Sequence, residues 1–146
     1  MMLKVVSFME LDKKEVLFKE IDLIQACITR MANNSFEIKK WTVGLIAVLS
    51  GLIKANSSLN EYVCLFLLIV IVFWGLDAYF LHIERRYRKK YNEVIWNRTH
   101  DNMEKVFNLS PVGEHEFIDY IKSVFSKTLI PFYGVLLLFI GLVWFI

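Results

Sequence analysis

The spacing of apolar and polar positions changes character along this chain, and each change predicts an element. From Leu11 to Met31 the apolar residues Leu17, Ile21, Ile24, Ile28 and Met31 recur at helical spacing. Lys13, Lys14, Lys19, Glu20, Gln25 and Arg30 largely take the opposite face. This predicts an amphipathic helix, with a turn or cap at Asn33, Asn34 and Ser35 closing the segment 1–34. The run WTVGLIAVLSGLI, residues 41–53, then carries no charge and is bracketed by Lys39, Lys40 and Lys54. Thirteen apolar residues fall short of a bilayer, but snorkelling lysines and flanking residues such as Ile38 and Ala55 extend them to a first span.

The polar stretch 55–61 predicts a turn, and Tyr62 to Leu81 follow as twenty residues with one charge, Asp77. That is enough helix to cross a hydrocarbon core of about 30 Å. Arg85, Arg86, Arg88, Lys89 and Lys90 come next, a basic block of the kind that halts translocation. Nothing breaks the helix before about Lys105, and the Pro and Gly of NLSPVGE, residues 108–114, end it. EHEFIDYIKSVFSK carries the apolar stripe Phe117, Ile118, Ile121, Val124 and Phe125, and runs directly into a last apolar stretch that ends at Ile146. Pro131 falls near the start of that stretch, where a missing N–H costs least.

The expected fold class is therefore an all-α integral membrane protein with three transmembrane helices and cytoplasmic helical extensions. Its segments are an amphipathic helix at 1–34, a transmembrane helical hairpin at 35–83, a cytoplasmic helical segment at 84–127 and a C-terminal span at 128–146. Charge sets the orientation. Seven Lys/Arg precede Trp41, nine lie between His82 and Lys127, and Lys54 alone is left for the other side. The positive-inside rule then puts the N-terminus and the middle segment in the cytoplasm and the C-terminus outside. The opening residues lack the uninterrupted apolar region and cleavage site of a signal peptide. A 56% hydrophobic and 22% charged composition over 146 residues agrees with a membrane protein. Cys27 and Cys64 form neither a metal spacing nor a disulfide framework, and read as free thiols in a reducing compartment.

Candidate chemistry is sparse. There is no phosphate loop, nucleophile motif or clustered His/Cys set, so no catalytic residue, cofactor or metal is expected. His115 between Glu114 and Glu116 lacks further ligand spacing. Asp77 is the exception, because a carboxylate inside a span usually faces other helices and finds a partner. Lys40, at the same depth on the first span, is the first candidate, followed by His82 and Arg85. Two roles are open: a polar clasp between helices, or a pore or gate residue. The block Glu84, Arg85, Arg86, Tyr87, Arg88 and Tyr91 also has two readings. It anchors to anionic lipid, or it offers its arginines to phosphates and its tyrosines to a stacked base. Gly44, Ala47 and Gly51 on the first span and Gly134 and Gly141 on the last make small-residue faces on which another helix can pack, within one subunit or between subunits.

The stretch FWGLDAYFLHIERRYRKKY, with the preceding NSFEIKKWTVGLIA, resembles an uncharacterised family of small bacterial multi-span membrane proteins. The shared pattern is W-x-L-D-A-Y-x-L followed by E-R-x-x-R-x-x-Y. It falls on Trp74, Leu76, Asp77, Ala78, Tyr79, Leu81, Glu84, Arg85, Arg88 and Tyr91, and the likeness covers residues 31–95. The family is similar to membrane effectors of phage-defence operons, in which a cytosolic protein makes a nucleotide signal and a membrane protein acts. The resemblance implies an oligomeric effector of the bacterial inner membrane that perturbs membrane integrity when triggered. The alternative is a non-conducting anchor or scaffold that holds a soluble partner through its cytoplasmic helices. Expected partners are anionic lipids, further copies of the chain, and a cytosolic signalling protein or nucleotide signal; DNA is not among them.

Overall fold

The computed structural model describes residues 2–54, 62–113 and 117–145. The predicted turn at 55–61, His115 with its flanking glutamates, and Ile146 lie outside the described residues. Four helices make up the described chain: α1 (Met2–Lys54), α2 (Val63–Thr99), α3 (Phe117–Val124) and α4 (Leu129–Phe145). Among the described residues there is no strand.

The chain divides into two compact units. One comprises Met1–Met31 and Ile83–Glu114; the other comprises Ala32–His82 and His115–Ile146. Both α1 and α2 contribute a half to each. The division does not follow a break in either helix. No turn forms at Asn33–Ser35, where α1 runs on without interruption. Asn and Ser each cost only about 0.5 kcal/mol against Ala inside a helix, and no Gly or Pro precedes Gly44. Tertiary partners of Ser35 outweigh so small a preference.

In the first unit Ile24 and Val94 are buried, and so is Glu20, which belongs to the polar face by spacing. Here α2 ends at Thr99, before the expected Lys105. Asp101, Lys105 and Phe107 take left-handed backbone angles (φ 57°, 57° and 58°), a conformation strained for residues with a Cβ. Arg98 holds the segment by donating to the Asn102 carbonyl at 2.5 Å and the Glu104 carbonyl at 3.4 Å. Glu20 receives the Phe107 N–H at 2.7 Å. Those bonds, supplied from outside the segment, turn the chain earlier than its local sequence does.

The second unit packs Ile46 of α1, Phe66, Val70 and Ala78 of α2, and Leu129, Tyr133 and Ile140 of α4 into one core. Among the described residues α2 is the one helix long and apolar enough to cross a membrane by itself. A second such span arises if α3 and α4 are taken together, although they are bent by 56°. The stripe at 117–125 therefore does not run straight into the last apolar stretch. Side chains stabilise the break on both sides. The Trp74 indole N–H donates to the Val124 carbonyl at 3.0 Å, and Ser126 Oγ accepts the Leu129 N–H at 3.2 Å as an N-cap for α4. Segment 117–127 consequently belongs with the apolar unit rather than with the charged residues 84–113.

Candidate intramembrane polar cluster

Asp77 is fully buried in the second unit, and its carboxylate is saturated with donors. Lys39 Nζ lies 2.6 Å from Oδ2, the Tyr133 hydroxyl is 3.1 Å from the same oxygen, and the Ser35 hydroxyl donates to Oδ1. Lys39 also donates to Ser35 Oγ at 2.8 Å, so the cation and the hydroxyl brace each other. The Tyr133 hydroxyl is 3.2 Å from the Phe73 carbonyl as well. Its one proton serves two acceptors, a carbonyl and a carboxylate. Trp74 stacks on the Tyr133 ring (5.5 Å between centroids, 8° between planes), and the Lys39 ammonium stands 5.9 Å above the Phe132 ring. Three helices thus converge on one carboxylate.

The partner is Lys39 and not Lys40, and the reason is helical register. Ser35, Lys39, Thr42 and Ile46 follow one another at i, i+4, i+7 and i+11, and Ile46 is a core residue, so this face turns inward. One residue on, about 100° around the helix, Lys40 points outward. It pairs with Glu37 and lies 5.1 Å above the Phe36 ring. That register was readable from the sequence, as was the need of a lone tyrosine inside α4 for a hydrogen-bond partner. His82 is buried beside the Tyr120 ring, edge to face at 6.4 Å, and Arg85 is exposed. Neither is among the donors to Asp77 described above.

The basic block is dispersed around α2. Arg86 is buried and turned onto the carbonyls of Pro111 (3.3 Å), Val112 (3.2 Å) and Gly113. It fixes that loop and is not presented to phosphates, which corrects its expected place in a receptor set. Arg88 Nε donates to Glu84 Oε1 at 2.8 Å, with Nη2 2.7 Å from the same oxygen, an i,i+4 ion pair. Burial raises the Tyr87 hydroxyl above its ordinary pKa, and the neighbouring Cys27 thiol adds to the effect. Arg88 and Tyr91 do come together with Gln25, Ile28 and Asn92, lining an open cleft of about 480 Å³. Its walls offer amides, a guanidinium and a phenol, which can hydrogen-bond a polar molecule. They carry no nucleophile with a base.

A second buried ion pair escaped the reading of the sequence. Glu20 and Arg98 are joined by two bonds of 2.8 Å, with side chains 2% and 5% exposed. Burial alone pushes the Glu20 carboxyl up. The Arg98 and Phe107 hydrogen bonds and the charges of Arg98 and Lys90 outweigh it and hold the carboxyl below its ordinary value. Seventy-eight positions separate the two residues, and no local spacing announces such a pair.

Among the described residues nothing packs closely on the small-residue faces. A Cβ placed on Gly44, Gly51, Gly134 or Gly141 would meet nothing within 4 Å, and Ala47 is exposed. Among the described residues no cluster of three or more His, Cys, Asp or Glu side chains is arranged to hold a metal ion. Comparison of the chain with family models, with curated proteins and with solved structures finds no match.

Proposed function

We propose that this chain is a small oligomeric protein of the bacterial inner membrane, an effector that perturbs membrane integrity or potential when triggered. In this reading the apolar unit is embedded with three spans, the first being residues 41–53 with its flanking lysines. The N-terminus and residues 84–113 lie in the cytoplasm, and the C-terminus lies outside. The observation that carries the proposal is the uncovered apolar surface of the second unit. Only 22% of the most apolar window of α2 is buried within the chain, whereas the core helix of a water-soluble protein is mostly buried. Ile71, Val135, Leu138 and Leu142 are each more than 60% exposed. The open glycines add contact surface for further copies, and three spans are too few to enclose a water-filled path alone. The resemblance to membrane effectors of phage defence supplies the setting, with a cytosolic protein or nucleotide as trigger. Arg88 and Tyr91 at the cleft are the residues to which such a signal would come.

One observation favours the other reading, a non-conducting anchor for a soluble partner. Asp77 is tied to three donors inside a single chain, which is the geometry of a clasp. A potential-sensitive dye in cells expressing the triggered protein separates the two. Loss of potential with wild type, and its retention with Gly51→Leu or Gly141→Leu, supports the effector. Cells that hold their potential through full activation carry an anchor.

A further inference from the structure

The faces of α3 are inverted relative to an ordinary core helix. Tyr120 and Ser123 point into the second unit: the Tyr120 hydroxyl donates to the Gly75 carbonyl at 3.1 Å, and Ser123 is fully buried. Together with the Trp74 bond to the Val124 carbonyl, this pins the polar face of α3 to α2. The apolar face looks away. Phe117, Ile118 and Ile121 span about 100° of the helix, and Phe117 is 73% exposed. A helix held to its own protein by polar groups, with its phenylalanine and isoleucines facing outward, is built to be covered by something else.

We infer that α3 is an interfacial helix whose outer face is covered by lipid at the boundary between acyl chains and headgroups. The inference rests on the membrane reading above. Three observations select lipid as the occupant. Across the break at 125–128 the stripe is followed by α4, which has no charged residue from Leu129 to Phe145 and exposes Val135, Leu138 and Leu142. The bend of 56° turns α3 well away from the direction of α4. With spans tilted about 20° from the bilayer normal on average, such a bend carries α3 toward the membrane plane. Charge is placed where an interface needs it: Lys122, paired with Asp119 at 2.9 Å, flanks the stripe, and exposed Lys127 sits in the break. The spans proper carry Asp77 sealed among donors, whereas α3 carries its charges at the rim. A second copy of the chain would cover the stripe equally well by area, and the test below distinguishes it from lipid.

The test uses the full chain with Cys27→Ser and Cys64→Ser, reconstituted in phosphatidylcholine–phosphatidylglycerol vesicles. Single cysteines replacing Ile118, Ile121, Leu138, Ile71 or Asn92 are spin-labelled, and collisions with oxygen and with a water-soluble nickel chelate are measured. The expected ratio of oxygen to chelate access at Ile118→Cys and Ile121→Cys is several-fold above Asn92→Cys and below Leu138→Cys. A chelate-accessible α3 beside lipid-facing Leu138→Cys and Ile71→Cys overturns the inference and leaves the membrane reading standing. Chelate access at all five positions overturns both. Labels at 118 and 121 shielded from both colliders, with dipolar broadening between copies, assign the face to a second chain instead. Far-ultraviolet circular dichroism of each variant establishes that the helices are intact.

Discussion

Among the described residues each unit holds an acid–base pair built around a fully buried carboxylate, and the two are built differently. Glu20–Arg98 is sealed on both sides and closed by a forked pair of bonds, and the carboxylate also takes the Phe107 N–H. Asp77–Lys39 is sealed on one side only, since the Lys39 side chain keeps 22% of its surface exposed. The difference follows from the cations. A planar guanidinium presents several donors at fixed angles and can be satisfied wholly by protein, here by Glu20 and two carbonyls. An ammonium on a flexible stem is strongly hydrated and can keep its head near water while its stem crosses apolar surface. One pair is a lock for the irregular segment 100–107. The other is a clasp for three helices that leaves a route by which its cation can withdraw.

Breaking the lock carries the largest expected effect. Glu20→Ala leaves Arg98 buried without a counter-charge and the Phe107 N–H without an acceptor, for a loss of about 3–5 kcal/mol. It should appear as faster amide exchange through residues 98–107 and as new protease cleavage there, with the second unit unchanged. Asp77→Leu should cost less, about 2–3 kcal/mol, because Lys39 can withdraw toward water while Ser35 and Tyr133 lose their shared acceptor. Asp77→Asn, which keeps a hydrogen-bonding amide, should lose about 1 kcal/mol. Unfolding by sodium dodecyl sulfate from mild-detergent micelles, followed by circular dichroism, ranks the three. If Asp77→Leu leaves stability intact while abolishing activity, the residue works as a gate and the clasp is wrong.

Acid sharpens the same contrast. The Glu20 carboxyl is held below its ordinary 4.5 in the folded chain, so the unfolded chain takes up its proton first as pH falls. The stability it contributes is fully present above 4.5 and is lost as pH drops through the depressed folded value. Amide protection factors in 98–107, taken relative to intrinsic exchange at each pH, should therefore fall below pH 4.5 in wild type, with a much flatter response in Glu20→Gln.

Periodicity and hydropathy made the helices and the apolar stretch of α2 legible, because both are properties of consecutive residues. They did not reveal where helices end when a distant residue decides it. Thr99 terminates α2 because Arg98 and Glu20 hold the carbonyls and N–H of residues 102–107, and Asn33–Ser35 stays helical because Ser35 is drawn to Asp77. The same holds at the site. Asp77 stood out as a charge in an apolar run, but its cation was displaced by one position and Tyr133 lies 56 residues away. Arg86 reads as a surface charge in a basic block until the 111–113 carbonyls are placed around it.

The comparison that ends on the smallest expected effect, that of Lys40→Ala, is the most discriminating, because Lys39 and Lys40 are adjacent, chemically identical and equally plausible by depth. Lys39→Ala removes the cation that, among the described residues, pairs with a fully buried carboxylate, leaving Ser35 and Tyr133 as its donors, and should cost about 2 kcal/mol. Lys40 pairs with Glu37 in the i,i+3 sense with both side chains about half exposed, an arrangement worth about 0.2–1 kcal/mol. Its approach to the Phe36 ring is also exposed and adds about 0.5 kcal/mol at most. Truncation at 40 also returns Glu37 to water rather than burying it unpaired. Lys40→Ala should thus shift the unfolding midpoint by less than half the shift of Lys39→Ala in the same detergent titration. The double variant Lys39→Ala with Asp77→Leu should recover part of the loss, because neither charge is then left behind. Equal shifts from the two lysines, or recovery when Lys40→Ala is combined with Asp77→Leu, would mean that α1 presents the other face to the carboxylate.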